Sequence, residues 1–245
     1  MMADDVFVPH MVEWTPEKSF RWWNVTSARH QDRYFSMRYG AALVGLVRLS
    51  RVRLRGRSVL DFGCGSGYLL DALLARKIAC SGADFSEDAV EVVQKRLAGN
   101  PLFKGVQLIQ DTPTPLGDES YDAVFFIETI EHLLDDDLES TLRELRRIVR
   151  PGGVVIITTP NDEQLAQVES LCPDWGCIFH PVQHVRSWDK ESLSRSLGEF
   201  GFSAVTCRPL YLQSTWLQTL AITALMQALH KPLPNLLFIV RKQAS

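Results

Sequence analysis

Two hydrophobic rhythms alternate through the middle of the chain. "SVLDF" (58–62) is a short apolar run ahead of a glycine cluster, and "YLLDALLARK" (68–77) then carries leucine at 69, 70, 73 and 74. The first spacing predicts a buried strand and the second a helix. "IACSGAD" (78–84) predicts the next strand. Ser86 suits the N-cap of a helix over "EDAVEVVQKRLAG", which Gly99-Asn100-Pro101 would stop. "VQLIQ" (106–110) and "YDAVFFI" (121–127) predict the third and fourth strands. "LESTLRELRRIV" (138–149) is an amphipathic helix, "RPGG" (150–153) a turn and "VVIITTP" (154–160) a fifth strand. A helix over 190–202, strands over 203–211 and 235–242, and a helix over 215–230 between those strands complete the pattern.

Short, nearly continuous apolar strands that alternate with helices predict an α/β fold. They imply a mostly parallel seven-stranded sheet with helices on both faces. Two regions fall outside the rhythm. Residues 1–57 hold Trp14, Trp22 and Trp23 and suit a helical cap or lid, leaving 58–245 as the main domain. Residues 161–188 form a long connection with little helical pattern, as functional loops do.

Composition narrows the class. The 245 residues are 46% hydrophobic and 22% charged with a net charge of −3, which suits one globular domain with insertions. No global positive field recruits nucleic acid. The local exception, "RLSRVRLRGR" (48–57), reads either as a solvated helix end or as a phosphate or RNA contact. Five cysteines are an odd number and give no secreted disulfide framework. "MMADDVFVPH" is acidic without a long apolar core, so no signal peptide is expected. The apolar stretch 216–229, broken by Gln218 and Gln227, falls short of the roughly 20 residues a span needs. A cytoplasmic protein with no membrane partner is expected.

"VLDFGCGSGYLL" (59–70) reads as strand, glycine loop and helix start. Gly63, Gly65 and Gly67 follow G-x-G-x-G, and the third glycine of a dinucleotide fingerprint would fall at Tyr68. Asp61 precedes the loop, where a carboxylate repels phosphate and attracts an ammonium group. Asp84 ends the second strand, placed to accept from ribose hydroxyls. Asp111 follows the third strand and can accept from an adenine amino group. Each alone could be a turn or a cap; in this order they form a nucleoside site at the carboxyl ends of the strands.

With "GADFS", "QDTPTP", "YDAVFFIETIEHL" and "RPGGVVIITTPN", this motif resembles the class I S-adenosylmethionine-dependent methyltransferases, strongly over about 57–160. The resemblance implies a Rossmann-like methyltransferase fold with S-adenosylmethionine as cofactor. It implies that Asp61 and the loop Gly63, Cys64, Gly65 and Gly67 face the methionine portion. Asp84 would bind the ribose, Asp111 and Thr112 would flank the adenine, and Phe85 would cover a ring face. Trp22, Tyr34 and Arg38 would belong to a lid over the cofactor.

"ETIEHL" follows the fourth strand, near the expected methyl group. Were a helical turn to begin there, Glu128, Glu131 and His132 would share a face. With His184, or His180, from the long loop they suit Mg²⁺, Mn²⁺ or Zn²⁺. His132 and Glu131, with His184, are also the catalytic candidates, since a hydroxyl acceptor must lose its proton to a base or a metal. Glu128 equally suits orienting the cofactor, and a purely structural His132 stays open. The Glu-x-x-Glu-His run is similar to those of small-RNA 2′-O-methyltransferases and ubiquinone-biosynthesis O-methyltransferases. The charge balance favours a small-molecule acceptor over RNA. A nonenzymatic or NAD-binding Rossmann protein is the further alternative. Cys172, Cys177, His180 and His184 offer a second, zinc-like donor set in non-standard spacing.

Overall fold

The computed structural model describes residues 7–29 and 34–243; part of the acidic N-terminus and residues 30–33 of the expected lid lie outside them. In chain order the first elements are β1 (His10–Met11), α1 (Pro16–Arg29), α2 (Phe35–Leu49), β2 (Val59–Phe62) and α3 (Tyr68–Leu74). Next come β3 (Cys80–Asp84), α4 (Glu87–Leu97), β4 (Phe103–Leu108), β5 (Tyr121–Ile127) and α5 (Asp135–Ile148). The chain continues with β6 (Val149–Pro160), β7 (Ser170–Leu171), β8 (Cys177–Phe179) and α6 (Lys190–Glu199). It ends with β9 (Phe202–Leu210), α7 (Trp216–Ala228) and β10 (Asn235–Lys242).

Seven strands form the main sheet in the order β4-β3-β2-β5-β6-β10-β9. The pairs β3–β4, β2–β3, β2–β5 and β5–β6 are parallel. β10 runs antiparallel to both β6 and β9, so the seven-stranded sheet is mixed: four of its six pairs are parallel and the two made by β10 are not. Burial explains why the sequence is silent on direction. Alternate residues of each strand enter two separate cores: Ala123, Phe125 and Ile127 on one face, and Val124 and Phe126 on the other. A strand buried on both faces has the same apolar run whichever way it points.

α2, α3 and α4 cover the first face; α5 and α6 cover the second. Ser86 caps α4 by accepting from the Ala89 N–H, as expected. α5 starts at Asp135, before the first apolar residue of its pattern, and puts three aspartates at the positive end of its dipole. The expected turn at 150–153 lies within β6 as an irregularity in the β5–β6 register.

The connection 161–188 is more ordered than its pattern suggests. β7 and β8 pair within it, and β1 adds to β8 as a small second sheet. At Gly176 a Cβ would come 2.6 Å from the Val8 carbonyl, so only glycine lets the N-terminal segment approach.

Strand order reverses between β2 and β5. Their carboxyl ends open at that point, which in open α/β sheets is the binding crevice.

Candidate functional site

The crevice brings the glycine loop against the turn that follows β5. Gly63 has φ +80°, and a Cβ there would come 3.1 Å from the Thr129 hydroxyl. The loop is bound to the end of β3 by Gly63 and Cys64, which donate to the Ala83 carbonyl at 2.8 and 3.0 Å. Asp84 completes the link, accepting from Gly65 N–H at 2.7 Å and from Ser86 N–H at 3.0 Å. Asp61 and Asp84 are both buried. Burial, then the charge of Asp84, pushes the Asp61 carboxyl up to about 8. Burial also raises Asp84, against the pull of its backbone donors. Phe85 is partly exposed and meets Phe20 of α1 with ring centroids 6.2 Å apart. Asp111 and Thr112 lie exposed beyond β4.

Residues 128–134 are not helical. Glu128 takes φ +47°, a left-handed conformation outside the helical region, and a turn closes with His132 N–H donating to Thr129 C=O. That turn, rather than a helix face, aims the side chains. Glu131 is 1% exposed, and neither of its carboxylate oxygens has a hydrogen-bond partner among the described residues. Burial and the charge of Glu128 raise its carboxyl well above the ordinary range. Burial chiefly raises Glu128, to about 7.

Two imidazoles face Glu131. His132 Nε2 lies 3.9 Å and His184 Nε2 4.0 Å from Glu131 Oε1. Their other nitrogens fix the tautomers. His132 Nδ1 lies 3.3 Å from the Gln183 carbonyl, which can only accept, so Nδ1 carries the proton. His184 Nδ1 is bonded to the Glu163 carboxylate. Burial raises Glu163, but its bonds to His184 and His180 outweigh that and hold it below the ordinary carboxylate range. It accepts, and His184 Nδ1 donates. Both Nε2 atoms therefore face one buried carboxyl, which its raised pKa leaves holding a proton when no cation is beside it. Burial, then the neighbouring His184, lowers His132 to about 3, so it stays neutral.

His180 is arranged the other way. Its Nδ1 accepts from the backbone N–H of His184 at 3.2 Å, which leaves the proton on Nε2, 3.4 Å from Glu163 Oε1. Two donor triads are close enough to hold an ion: Glu131, His132 and His184, and Glu163, His180 and His184. In the second, His184 Nδ1 already bonds to Glu163; in the first, both Nε2 atoms face the Glu131 carboxyl. Glu128 belongs to neither triad. Sequence reasoning missed Glu163, although an acid just past the fifth strand was a signal of the kind used at Asp84 and Asp111. The cysteine–histidine set does not assemble: His180 and His184 turn to Glu163, while Cys177 Sγ lies 3.6 Å from His10 Nε2. All five cysteines are free thiols.

The roof comes from both irregular regions. The Trp23 ring meets His132 edge-on at 4.6 Å, and its indole N–H donates to Gln183 Oε1 at 2.7 Å. Gln183 is fully buried and donates in turn to His132 C=O at 3.1 Å. Val185 N–H donates to Glu131 C=O at 3.0 Å, clipping the loop to the turn. Tyr34 lies over the glycine loop, its ring 2.7 Å from where a Gly65 Cβ would stand. Trp22 packs on Trp14 and Phe179 instead, and Arg38 is exposed.

With this geometry in view, likeness to known proteins decides the family. A methyltransferase domain matches residues 29–206. The chain belongs to that family of S-adenosylmethionine-dependent methyltransferases. A methyltransferase named GfsG from Streptomyces halstedii is 35% identical over 127 residues, 48% of this chain and 45% of the relative. A ubiquinone biosynthesis O-methyltransferase from Pseudomonas putida is 37% identical over 116 residues, covering 45% and 47%. The chain spans about half the length of the curated relatives it matches. The 1,6-didemethyltoxoflavin-N1-methyltransferase of Burkholderia thailandensis, solved with that compound and S-adenosylhomocysteine, shares the fold. Its TM-score is 0.62 at 16% identity, over 95% of this methyltransferase chain and 92% of the neighbour.

Proposed function

We propose that this chain transfers the methyl group of S-adenosylmethionine to a hydroxyl of a small-molecule acceptor, with a divalent cation at the acceptor side. Family membership supports the cofactor, and a relative named as an O-methyltransferase supports the acceptor atom. A neighbour bound to a small heteroaromatic compound supports the acceptor's size.

In this reading Asp61 and the loop from Gly63 through Cys64 and Gly65 to Gly67 take the methionine portion, and Asp61 pairs with its ammonium group. Asp84 accepts from the ribose hydroxyls, Asp111 and Thr112 flank the adenine, and Phe85 covers a ring face. Tyr34 and Trp23 act as the lid. Excluding water and fixing the acceptor near the methyl group supply much of the rate in an in-line displacement.

The observation that carries the acceptor side is the convergence of His132 Nε2 and His184 Nε2 on the buried Glu131 carboxyl. Burial and the charge of Glu128 keep Glu131 from ionising readily, and the imidazoles beside it do not reverse that. A cation can, and one carboxylate with two imidazoles suits Mg²⁺, Mn²⁺ or Zn²⁺. Glu131, His132 and His184 would hold it, with Glu128 as a further carboxylate nearby. When bound, such an ion lowers the pKa of an acceptor hydroxyl. His132, held near 3 by burial, is too weak a base to act alone. Glu163 keeps His184 in the tautomer that presents Nε2.

Calorimetry tests both halves. S-adenosylhomocysteine should bind, and Asp84→Ala should weaken it by about 30-fold, the worth of roughly 2 kcal/mol of charged hydrogen bonds. Unchanged affinity in that variant removes Asp84 from the ribose. Mn²⁺ should bind with one-to-one stoichiometry and lose that binding in Glu131→Gln; Mn²⁺ uptake unaffected by the substitution removes the metal assignment.

A further inference from the structure

The chain separates its charges. No Asp or Glu occurs between Asp32 and Asp61, and none follows Glu199, although the whole chain has 29 acids and a net charge of −3. The first acid-free stretch builds α2 and the strand of arginines after it; the second builds β9, α7 and β10. The two meet in space. At Gly45 of α2 a Cβ would come 2.6 Å from the Trp216 ring at the start of α7.

Two features share this face. One is an open cleft of about 390 Å³, lined by Arg48, Arg51, Arg53, Arg55 and Arg76 with no carboxylate. Among the described residues Arg55 and Arg76 are steadied by backbone carbonyls, Arg55 by Arg76 C=O at 3.1 Å and Arg76 by Ala41 C=O at 3.0 Å. Arg48, Arg51 and Arg53 make no ion pair among the described residues. The other feature is α7, which packs Trp216 and Leu220 against the core and leaves leucines on its outer side. It buries Thr219 and Thr223, which accept from Gln213 N–H at 2.9 Å and Tyr211 N–H at 3.0 Å. It exposes Leu217 (61%), Leu225 (49%) and Leu229 (55%) on the opposite side. Leu49 of α2 is 51% exposed, one turn beyond Gly45 and next in sequence to Arg48 of the cleft.

We propose that this face docks on an anionic phospholipid surface. The arginines take lipid phosphates, and the leucines enter the boundary between headgroups and acyl chains. Charge selects the partner, since a cleft of arginines with no carboxylate in its lining is complementary to a polyanion. The apolar side chains then separate a bilayer from RNA, whose phosphate backbone offers nothing to exposed leucines. The contact is peripheral, because no helix among the described residues is long and apolar enough to cross a membrane. The inference rests on these residues alone and is independent of the methyl acceptor.

Vesicle flotation of the full chain tests it. The protein should float with vesicles of equal parts phosphatidylglycerol and phosphatidylcholine and should stay behind with phosphatidylcholine alone. Raising salt from about 0.05 to about 0.5 M should weaken the binding. Each arginine is worth on the order of five-fold in partitioning, so Arg51→Gln with Arg53→Gln should cost about 25-fold. Leu217→Ser with Leu225→Ser should also lower flotation, with S-adenosylhomocysteine affinity retained in both variants as the check on folding. Failure to float, equal binding to uncharged vesicles, or flotation untouched by both double variants overturns the proposal. So does arginine-dependent binding of inorganic phosphate or an RNA oligonucleotide without vesicle binding, which assigns the cleft to those ligands.

Discussion

Glu131 shows how a single side chain acquires its chemistry from position rather than type. Its carboxyl is buried beside the Nε2 atoms of two imidazoles and is pushed well above the ordinary range. Asp61 faces a related difficulty across the crevice and resolves it by keeping its proton, with a pKa of about 8. An ammonium group placed beside Asp61 would favour the carboxylate and expel that proton. Cofactor binding at pH 7 should therefore release close to one proton, and affinity should rise as pH climbs towards 8. Calorimetry in buffers of different ionisation enthalpy measures the release, and Asp61→Asn should abolish it. The strand-end acids were legible because each follows an apolar run. Glu163 was not, because its partner His184 stands 21 positions away and only the folded loop joins them.

Elements with enough length declared themselves. β5 and β10 match the apolar runs residue for residue. The start of α5 did not, because Asp135, Asp136 and Asp137 carry no hydrophobic phase, only a preference for the helix N-terminus. β1, β7 and β8, at two or three residues, are too short to show a period. The direction of β10 has no sequence signature either, as its residues are buried on both faces. Helix contacts are also written in single residues: Gly45 lets α7 lie directly on α2. Gly45→Val should push Trp216 away and cost about 1–3 kcal/mol, the usual penalty of overpacking. A melt would show this as a lowered Tm, and a variant as stable as the parent would mean that α7 yields freely.

At the scale of the whole molecule, function is placed by topology. The reversal of strand order between β2 and β5 opens a gap where buried acids from successive strand ends collect. The folded pKa values of Asp61 and Glu128, about 8 and about 7, lie above their ordinary values of 3.8 and 4.5. The folded state thus holds protons that the unfolded chain gives up. That stability is fully present below about pH 4 and is lost as pH rises through about 7 to 8. Over this window the ligand-free protein should lose several kcal/mol from this source. A thermal melt series should show Tm falling from pH 5.5 to 8, with S-adenosylmethionine and Mn²⁺ together recovering the loss. A flat Tm over that range would mean that these carboxyls ionise freely in the folded protein.

The separation of charges has a preparative consequence. A resin samples the face turned towards it, not the sum over the chain. Although its formal charge at neutral pH is −3, this protein should be retained on a sulfonate cation exchanger. It would lie with α2 and α7 against the beads. Replacing Arg51 and Arg53 by glutamine should bring it out in the flow-through.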